Sequence, residues 1–287
     1  MTTTLGPTLP DVLGAASGSF TQLVDARWLM AYAAGLGERD VRYYDTEAAG
    51  GPVAHPLFPV CYEWPPLVAL RESVIGEALA PLSVHATHDL AITRLPHAGE
   101  RVTTTARVIA VERRRAGTLL VARLTTLAED GGTLTVTDYG SVYRGVEPEK
   151  TGRIAEPLAP PTPVAPAGAP AWTERVDLAP EAAHLYTECA RIWNPIHTDV
   201  AVAHAAGLPA IILHGTATLA LALSRIIARD LDGDMLAVRR VAARFTGFVR
   251  LPSALTVRGH ARAGSSIAFD AVGPDGASVL GEGTLTS

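Results

Sequence analysis

Lysine, cysteine and charged side chains are all scarce in this chain of 287 residues. Charged residues make up 18% of it, and Lys150 is the one lysine among 24 basic residues. The arginines are spread along the sequence and the formal net charge is -5, which argues against a nucleic-acid-binding surface. The two cysteines, Cys61 and Cys189, have no metal-ligand spacing, and the simpler interpretation is a reducing compartment without a disulfide framework.

Targeting and membrane signals are also missing. The opening MTTTLGPTLPDVLG has no basic segment followed by an apolar core, as a signal peptide would have. No apolar run reaches the roughly 18 residues that cross a bilayer, and the longest, at 216–228, is interrupted by Ser224 and Arg225. We therefore expect a cytoplasmic protein without a membrane segment. Hydrophobic residues make up 48% of the chain, which is ample material for the cores of two domains.

A stretch rich in Pro and Ala, EPEKTGRIAEPLAPPTPVAPAGAPAW, divides the chain at residues 147–172. It has no hydrophobic periodicity, and its composition favours extended backbone. We predict a first domain over residues 1–147, a linker over 148–171 and a second domain over 172–287.

Both parts show predicted helices followed by predicted strands. In the second part, WTERVDL favours a strand, EAAHLYTECARI a helix, and HGTATLALALSRIIARDL a long helix that is apolar nearly all round. Such a helix should be buried in the middle of a wrapped sheet. In the first part, FTQLVDARWLMAYAAGLG and CYEWPPLVALRESVIGEAL are the predicted helices. The segments ITRLPHAGERVTTTARV and ARFTGFVRLPSALTVRG look like equivalent hairpins, so we predict a duplicated fold of the α+β class with antiparallel strands.

The strongest functional signal lies in RIWNPIHTDVAVAHAAGLPAIILHG, residues 191–215. Asn194 precedes a proline and so ends the helix before it. Asp199 can cap the short helix that follows, and Gly207 can close that helix. The candidate chemical groups are His197 in the turn and His214, which stands directly before the glycine that opens the long helix.

This stretch resembles the MaoC-like family of (R)-specific enoyl-CoA hydratases and dehydratases. The resemblance implies a double hot-dog fold, in which each half wraps an antiparallel sheet around one long helix. The first half is similar to the degenerate half of two-domain members, because YAAGLGERDVRYYD occupies the motif's place without an Asn-Pro-x-His, and its implied role is to cradle the substrate. The residues that carry the resemblance are Tyr186, Trp193, Asn194, Pro195, Ile196, His197, Asp199, Ala206, Gly207, Leu208, Pro209, Leu213, His214 and Gly215.

The resemblance implies a hydro-lyase that adds water to an enoyl thioester or removes it from a 3-hydroxyacyl thioester, on CoA or a carrier protein. It implies no metal and no redox cofactor. Carried over residue by residue, His197 is the acid–base group, Asn194 orients the loop or the water, and the N–H of Gly215 polarises the thioester carbonyl, as a helix N-terminus can. A homodimer is a possible further assembly. The substrate-binding candidates are His214, Trp193, Ile192, Tyr186 and Arg244.

One position departs from the family motif, since its aspartate falls on Ile192, which cannot take a proton. Glu188, Asp199 and Asp177 lie nearby, but no spacing makes any of them a replacement. Positioned acid–base catalysis contributes about 10²–10⁴-fold. The open alternatives are therefore a specialised addition or elimination in secondary metabolism, a non-catalytic acyl-binding or partner subunit, and, further behind, an acyl thioesterase.

Two histidines outside the motif are a separate candidate pair. His85 and His88 of SVHATHDL are expected to share one face of a strand. Two such side chains can suggest a metal site, but no third ligand has a convincing spacing. We predict no metal there.

Overall fold

The protein is built from one large antiparallel sheet with helices packed against it. The computed structural model describes residues 6–154 and 168–287. Its α-helices are α1 (Ala26–Gly35), α2 (Pro59–Val74), α3 (Ala182–Ala190), α4 (Val200–Ala205) and α5 (Gly215–Asp230). Its strands are β1 (Thr8–Leu9), β2 (Phe20–Val24), β3 (Ser83–Ile92), β4 (Glu100–Arg114), β5 (Gly117–Leu127), β6 (Thr133–Arg144), β7 (Glu147–Pro148), β8 (Gly152–Arg153), β9 (Trp172–Leu178), β10 (Arg240–Phe245), β11 (Ser253–Ala263), β12 (Ser266–Val272) and β13 (Ser278–Thr286).

The strand order of the second half mirrors that of the first. Across the described residues the main sheet runs β2-β4-β5-β6-β3-β10-β13-β12-β11-β9, with β8 added against β4. Strands β9, β11, β12, β13 and β10 therefore repeat the places of β2, β4, β5, β6 and β3. This repeat agrees with the predicted duplication, and the α+β class with antiparallel strands is confirmed.

The two halves meet edge to edge where β3 pairs with β10. At this seam the guanidinium of Arg240 donates two hydrogen bonds to the carboxylate of Asp89, at 2.8 Å from Nε and 2.6 Å from Nη2. The two side chains are only 14% and 26% exposed, so water screens this bidentate pair weakly. The halves consequently share one continuous sheet.

One long helix packs on each half of the sheet. α2 contacts β2, β4 and β5, while α5 contacts β11, β12 and β13. Every residue of α5 from Thr216 to Ser224 is buried, as expected for a helix that is apolar nearly all round. Within the part of the chain that the structure describes, no helix combines the length and apolarity needed to cross a membrane.

Two sequence-based expectations were wrong. The segments that look like hairpins hold equivalent places, but β3 pairs with β6 and β10, whereas β4 pairs with β2 and β5. A tight turn joins β4 to β5, so β5 pairs with β4. The loop after β3 therefore leads to a strand that is not adjacent to β3 in the sheet. Residues 20–24 were expected in a helix but form strand β2, which pairs with β4. Helix α1 begins at Ala26, and the side chain of Asp25 caps it by accepting a hydrogen bond from the Trp28 N–H at 2.7 Å.

The start of the predicted linker is held by the first half of the chain. β7 pairs with β1, and β8 pairs with β4. Residues 155–167 of the predicted linker lie outside the described residues. The division into 1–147, 148–171 and 172–287 stays a prediction.

The substitution Asp89→Asn tests the seam between the halves. It leaves the guanidinium of Arg240 partly buried without its carboxylate, so we expect the free energy of unfolding to fall by about 2 kcal/mol. The matched control is Asp177→Asn, because Asp177 pairs with Arg175 at side-chain exposures of 79% and 64%. An exposed pair of this kind contributes less than about 1 kcal/mol. Urea unfolding measures both variants, and equal losses would contradict a special role for the seam pair.

Candidate active site

Local structure fixes the loop that carries His197. Arg191 follows α3 in the left-handed backbone conformation, with φ of 58°, and turns the chain away from the helix. Pro195–His197 forms one 3-10 turn, in which the carbonyl of Asn194 accepts a hydrogen bond from the His197 N–H at 3.1 Å. Asp199 accepts hydrogen bonds from two backbone N–H groups of α4, which confirms its predicted role as a cap.

One ring nitrogen of His197 is bound to the backbone and the other is free. Nδ1 lies 2.9 Å from the carbonyl oxygen of Ile212, and Nε2 forms no hydrogen bond with the described residues. A carbonyl oxygen can only accept, so Nδ1 carries the proton and Nε2 presents a lone pair. Burial lowers the pKa of His197 to about 4, against a smaller opposing effect of the Ile212 carbonyl. The ring is therefore neutral at pH 7 and suited to act as a general base.

His214 stacks directly on His197. The ring centroids are 3.7 Å apart, with an angle of 25° between the planes. Nε2 of His214 lies 3.2 Å from Oγ1 of Thr187. Burial, and after it the neighbouring His197, hold the pKa of His214 well below its usual range. The site thus holds two stacked, neutral imidazoles.

Helix α5 begins beside these rings. Its first N–H groups have no partner inside the helix, and no side chain of the described residues caps them. They carry the positive end of the helix dipole, which favours a developing negative charge on a bound oxygen. Gly215 allows close approach here, because a Cβ at this position would lie 3.1 Å from the ring of Phe245.

A cavity of about 390 Å³ connects these groups to the first half of the chain. The second half contributes the motif loop, the start of α5 and the segment 245–249. The first half contributes one face of α2 and side chains of β3, β5 and β6. The lining residues are Val60, Glu63, Trp64, Leu67, Arg71, Ser83, Val84, His85, His88, Leu124, Tyr139, Ile192, Asn194, Ile196, His197, Ile212, Leu213, His214, Gly215, Thr216, Thr218, Phe245, Thr246, Gly247, Phe248, Val249 and Val279.

Five of the eight predicted site residues line this cavity: Ile192, Asn194, His197, His214 and Gly215. The other three, as far as the structure describes the chain, do not.

Tyr186 lies behind the wall as a fully buried side chain, and its hydroxyl donates to Oγ1 of Thr216 at 3.1 Å. Trp193 is 61% exposed at the surface. Arg244 is paired with Glu282 at 2.7 Å in solvent. The roles assigned to these residues stay predictions.

Ile192 is a buried part of the cavity wall. None of the three acids near it in the sequence supplies a carboxyl group to the lining. Glu188 is exposed, Asp199 caps α4, and Asp177 pairs with Arg175 in solvent.

The carboxyl group that the described lining does contain belongs to Glu63, on α2 of the other half. Glu63 is 3% exposed, and burial raises its pKa to about 8, against the opposing hydrogen bond from Thr137. Our sequence analysis missed it. The available signal was an acid at helical spacing from Val60 and Leu67 inside an apolar segment, CYEWPPLVAL.

His85 and His88 both line the cavity, in agreement with the expectation that they share a face. Strict alternation would place residues three apart on opposite faces of a strand. A register shift between His85 and Thr87 in the pairing of β3 with β6 removes this conflict. Their ring centroids are 5.5 Å apart, and His85 also stacks on Tyr139 at 3.7 Å.

Two family descriptions match the chain, one in each half. The MaoC like domain matches residues 163–269, and the FAS1-like dehydratase domain region matches residues 11–137. The first match contains His197, His214 and the start of α5, and the second contains the α2 and β3 side of the cavity.

The chain is similar to an enoyl-CoA hydratase of Mycobacterium tuberculosis, ChsH3. The identity is 31% over 180 residues, which are 59% of this chain and 62% of the hydratase. The matched part is thus less than two thirds of that relative.

Solved structures agree on the fold. A MaoC-like dehydratase from Phytophthora capsici superposes with a TM-score of 0.82 at 21% identity, covering 96% of both chains. A conserved hypothetical protein of Mycobacterium tuberculosis, described as having a double hotdog fold, gives a TM-score of 0.62 at 16% identity over 96% of this chain and 95% of that one. The predicted double hot-dog fold is confirmed.

We expect the protein to lose stability as the pH falls from neutral towards 4. Burial lowers the pKa of His55 to about 3 and those of His88 and His197 to about 4, and it lowers the pKa of His214 as well. Histidines of the unfolded chain titrate near pH 6.5. Below that pH the unfolded state binds more protons, so each buried ring adds up to about 1.4 kcal/mol per pH unit to the loss. Burial lowers the pKa of His85 in the same way. Glu63 acts in the opposite sense between its unfolded pKa of 4.5 and about 8, and burial also raises the pKa of Glu38, but the buried histidines outnumber these two acids.

Thermal unfolding at about pH 7, 6 and 5 measures this dependence. His88→Phe removes one buried imidazole and should reduce the dependence of the unfolding midpoint on pH. His204→Ala, at an exposed position, should leave that dependence unchanged. A midpoint that stays constant across this range in the wild type would contradict the prediction.

Proposed function

We propose that this protein catalyses the reversible hydration of an enoyl thioester, or the dehydration of a 3-hydroxyacyl thioester, carried by CoA or a carrier protein. The observation that supports this most is the free Nε2 of His197, held in a buried cavity beside the open start of α5. A base and an oxygen-binding group at one site are what addition of water to a conjugated thioester requires. The similarity to an enoyl-CoA hydratase points to the same class of reaction.

In the proposed reaction, His197 transfers a proton from water to the acyl chain. Its Nε2 takes a proton from water as the water oxygen bonds to the third carbon of the enoyl chain. The electron pair of the double bond moves onto the thioester oxygen, where the N–H of Gly215 stabilises the enolate. The protonated ring then returns the proton to the second carbon, so no net charge remains. Dehydration follows the same path in reverse.

Asn194 positions this base. Its backbone carbonyl holds the N–H of His197, and its side chain lines the cavity, where it can orient the water. Ile192 and His214 form the wall against the acyl group, and Tyr186 supports that wall through Thr216. Trp193 and Arg244 lie outside the cavity, so the proposal leaves them to the exposed carrier part of the substrate.

A second candidate is a non-catalytic acyl-binding or partner subunit. What favours it is the predicted departure from the family motif at Ile192, whose side chain cannot transfer a proton. The free lone pair on His197 favours the enzyme, because a purely structural histidine usually has both nitrogens bound.

The setting of the protein stays a prediction in two respects. A cytoplasmic location is predicted from the sequence composition, and a homodimer is predicted because soluble proteins commonly form symmetric dimers. Light scattering after gel filtration tests the oligomeric state.

His197→Ala should lower kcat/KM for hydration of crotonyl-CoA by about 10²-fold or more, because it removes the base from the proposed reaction. Loss of enoyl absorbance measures the rate. The matched control is His204→Ala, which removes an exposed histidine of the adjoining helix and should stay within about twofold of the wild type.

Ile192→Asp tests the departure from the family motif in the same assay. A gain over the wild type is expected if the scaffold accepts a second proton-transferring group. An active wild type with an equally active His197→Ala variant would disprove the role of His197. A wild type that binds acyl-CoA but turns none over would support the binding subunit.

A further inference from the structure

The part of the cavity lined by the first half carries polar groups that the proposed reaction does not use. They lie on α2, β3 and β6, away from the motif loop. Of these groups, His88 has no hydrogen-bond partner among the described residues, and a plain hydrocarbon chain would leave it so, which is costly in a buried site. The polar lining residues of this half are Glu63, Arg71, Ser83, His85, His88 and Tyr139.

Ring contacts show how this region is connected to the reaction site. Phe245 lies against Gly215 at the start of α5, and its ring centroid is 4.4 Å from that of His85. His85 in turn lies 5.5 Å from His88. Gly215, Phe245, His85 and His88 line one cavity, so an acyl chain whose thioester lies at Gly215 can extend towards His88.

His88 is a polar group without a partner. It is 1% exposed, and neither ring nitrogen forms a hydrogen bond with the described residues. The neighbouring His85 differs, since its Nε2 lies 3.1 Å from the carbonyl oxygen of Thr87. Burial lowers the pKa of His88 to about 4, so at pH 7 its ring offers one donor and one acceptor. Buried polar groups usually have a hydrogen-bond partner, so a buried imidazole with neither nitrogen bonded to the described residues calls for a functional explanation.

Glu63 offers a second hydrogen-bonding group in the same lining. Its Oε1 accepts from Oγ1 of Thr137 at 2.6 Å, while Oε2 forms no hydrogen bond with the described residues. With a pKa near 8, the side chain is largely protonated at pH 7 and can donate from that second oxygen. A neutral acid and a neutral imidazole suit an uncharged oxygen better than an anion.

We propose that His88 and Glu63 form a subsite for an oxygenated acyl chain, one that carries a hydroxyl or keto oxygen several carbons beyond the thioester. This inference deepens the proposed function, because it names the class of acyl group that the same cavity takes. The acyl chain passes Phe245, and its oxygen fills the hydrogen-bonding positions left open at His88 and Oε2 of Glu63. A saturated chain of the same length lacks that oxygen and binds less tightly.

The test measures binding and so does not depend on turnover. Calorimetric titration compares octanoyl-CoA with its analogues that carry one hydroxyl group at successive positions from the fourth carbon to the last. We expect one of the analogues to bind the wild type about tenfold more tightly than octanoyl-CoA. His88→Phe should abolish this preference, and His204→Ala should retain it. No preference in the wild type, or a preference unchanged in His88→Phe, would overturn the proposal.

Glu63 is tested by two substitutions. Because the proposal treats Glu63 as a neutral donor, Glu63→Gln should keep most of the preference for the hydroxylated chain, and Glu63→Leu should lose it. An analogue that ends in a carboxylate tests the cation of Arg71, which stands on the same face of α2 about 12 Å along the axis. Tighter binding of that analogue than of any hydroxylated chain would overturn the preference for a neutral oxygen.

Turnover separates this inference from the proposed function. If Glu63→Gln abolishes hydration of crotonyl-CoA in the way that His197→Ala does, Glu63 is an acid–base group and the subsite assignment is wrong. If the wild type hydrates no enoyl-CoA but still prefers the hydroxylated chain, the proposed function fails and the subsite stands.

Discussion

Backbone hydrogen bonds between β3 and β10 join the strands of the two halves into one sheet, and the cavity between the halves depends on this pairing. β10 leads into Phe245 and the segment that lies against the start of α5, while β3 carries His85 and His88. Pairing these two strands brings the second half's chemical groups against the first half's lining. The ion pair of Arg240 with Asp89 reinforces the junction at a point where both side chains are largely shielded from water.

The two halves repeat the same strand order, but they have diverged at the starts of their long helices. His55 stands shortly before α2, much as His214 stands before α5. In the first half the N–H of Leu57 donates to Nδ1 of His55, and Nε2 lies 3.2 Å from Oγ of Ser224. Both nitrogens of His55 are thus bonded. In the second half, His214 stacks on His197, and Nε2 of His197 has no hydrogen bond with the described residues. The histidine before α2 is therefore fixed by hydrogen bonds, whereas the histidine pair before α5 keeps one nitrogen available for chemistry.

The motif loop could be predicted from sequence because its geometry is local. Asp199 caps its helix, Asn194 and Pro195 form the turn, and the apolar α5 is buried as its composition indicates. The other side of the cavity could not be predicted in the same way. Glu63 reaches the cavity only through the packing of α2 on the sheet, and His88 shares a face with His85 only because of a register shift in β3. Both depend on contacts between residues that are far apart in the chain, and no short segment records them.

The hydrocarbon side chain of Ile192 suits a site whose two imidazoles, His197 and His214, are neutral before the substrate reacts. Burial makes protonation of His197 in the empty cavity costly, by about 3 kcal/mol relative to an exposed histidine. In the proposed reaction the proton arrives as negative charge forms on the thioester oxygen. Two opposite charges about 4 Å apart attract each other by about 4 kcal/mol at an effective dielectric constant of about 20. At that distance, the charge that forms on the substrate would offset the cost of protonating His197 during the proposed reaction. Ile192 leaves this balance undisturbed, because its side chain brings no charge to the cavity wall.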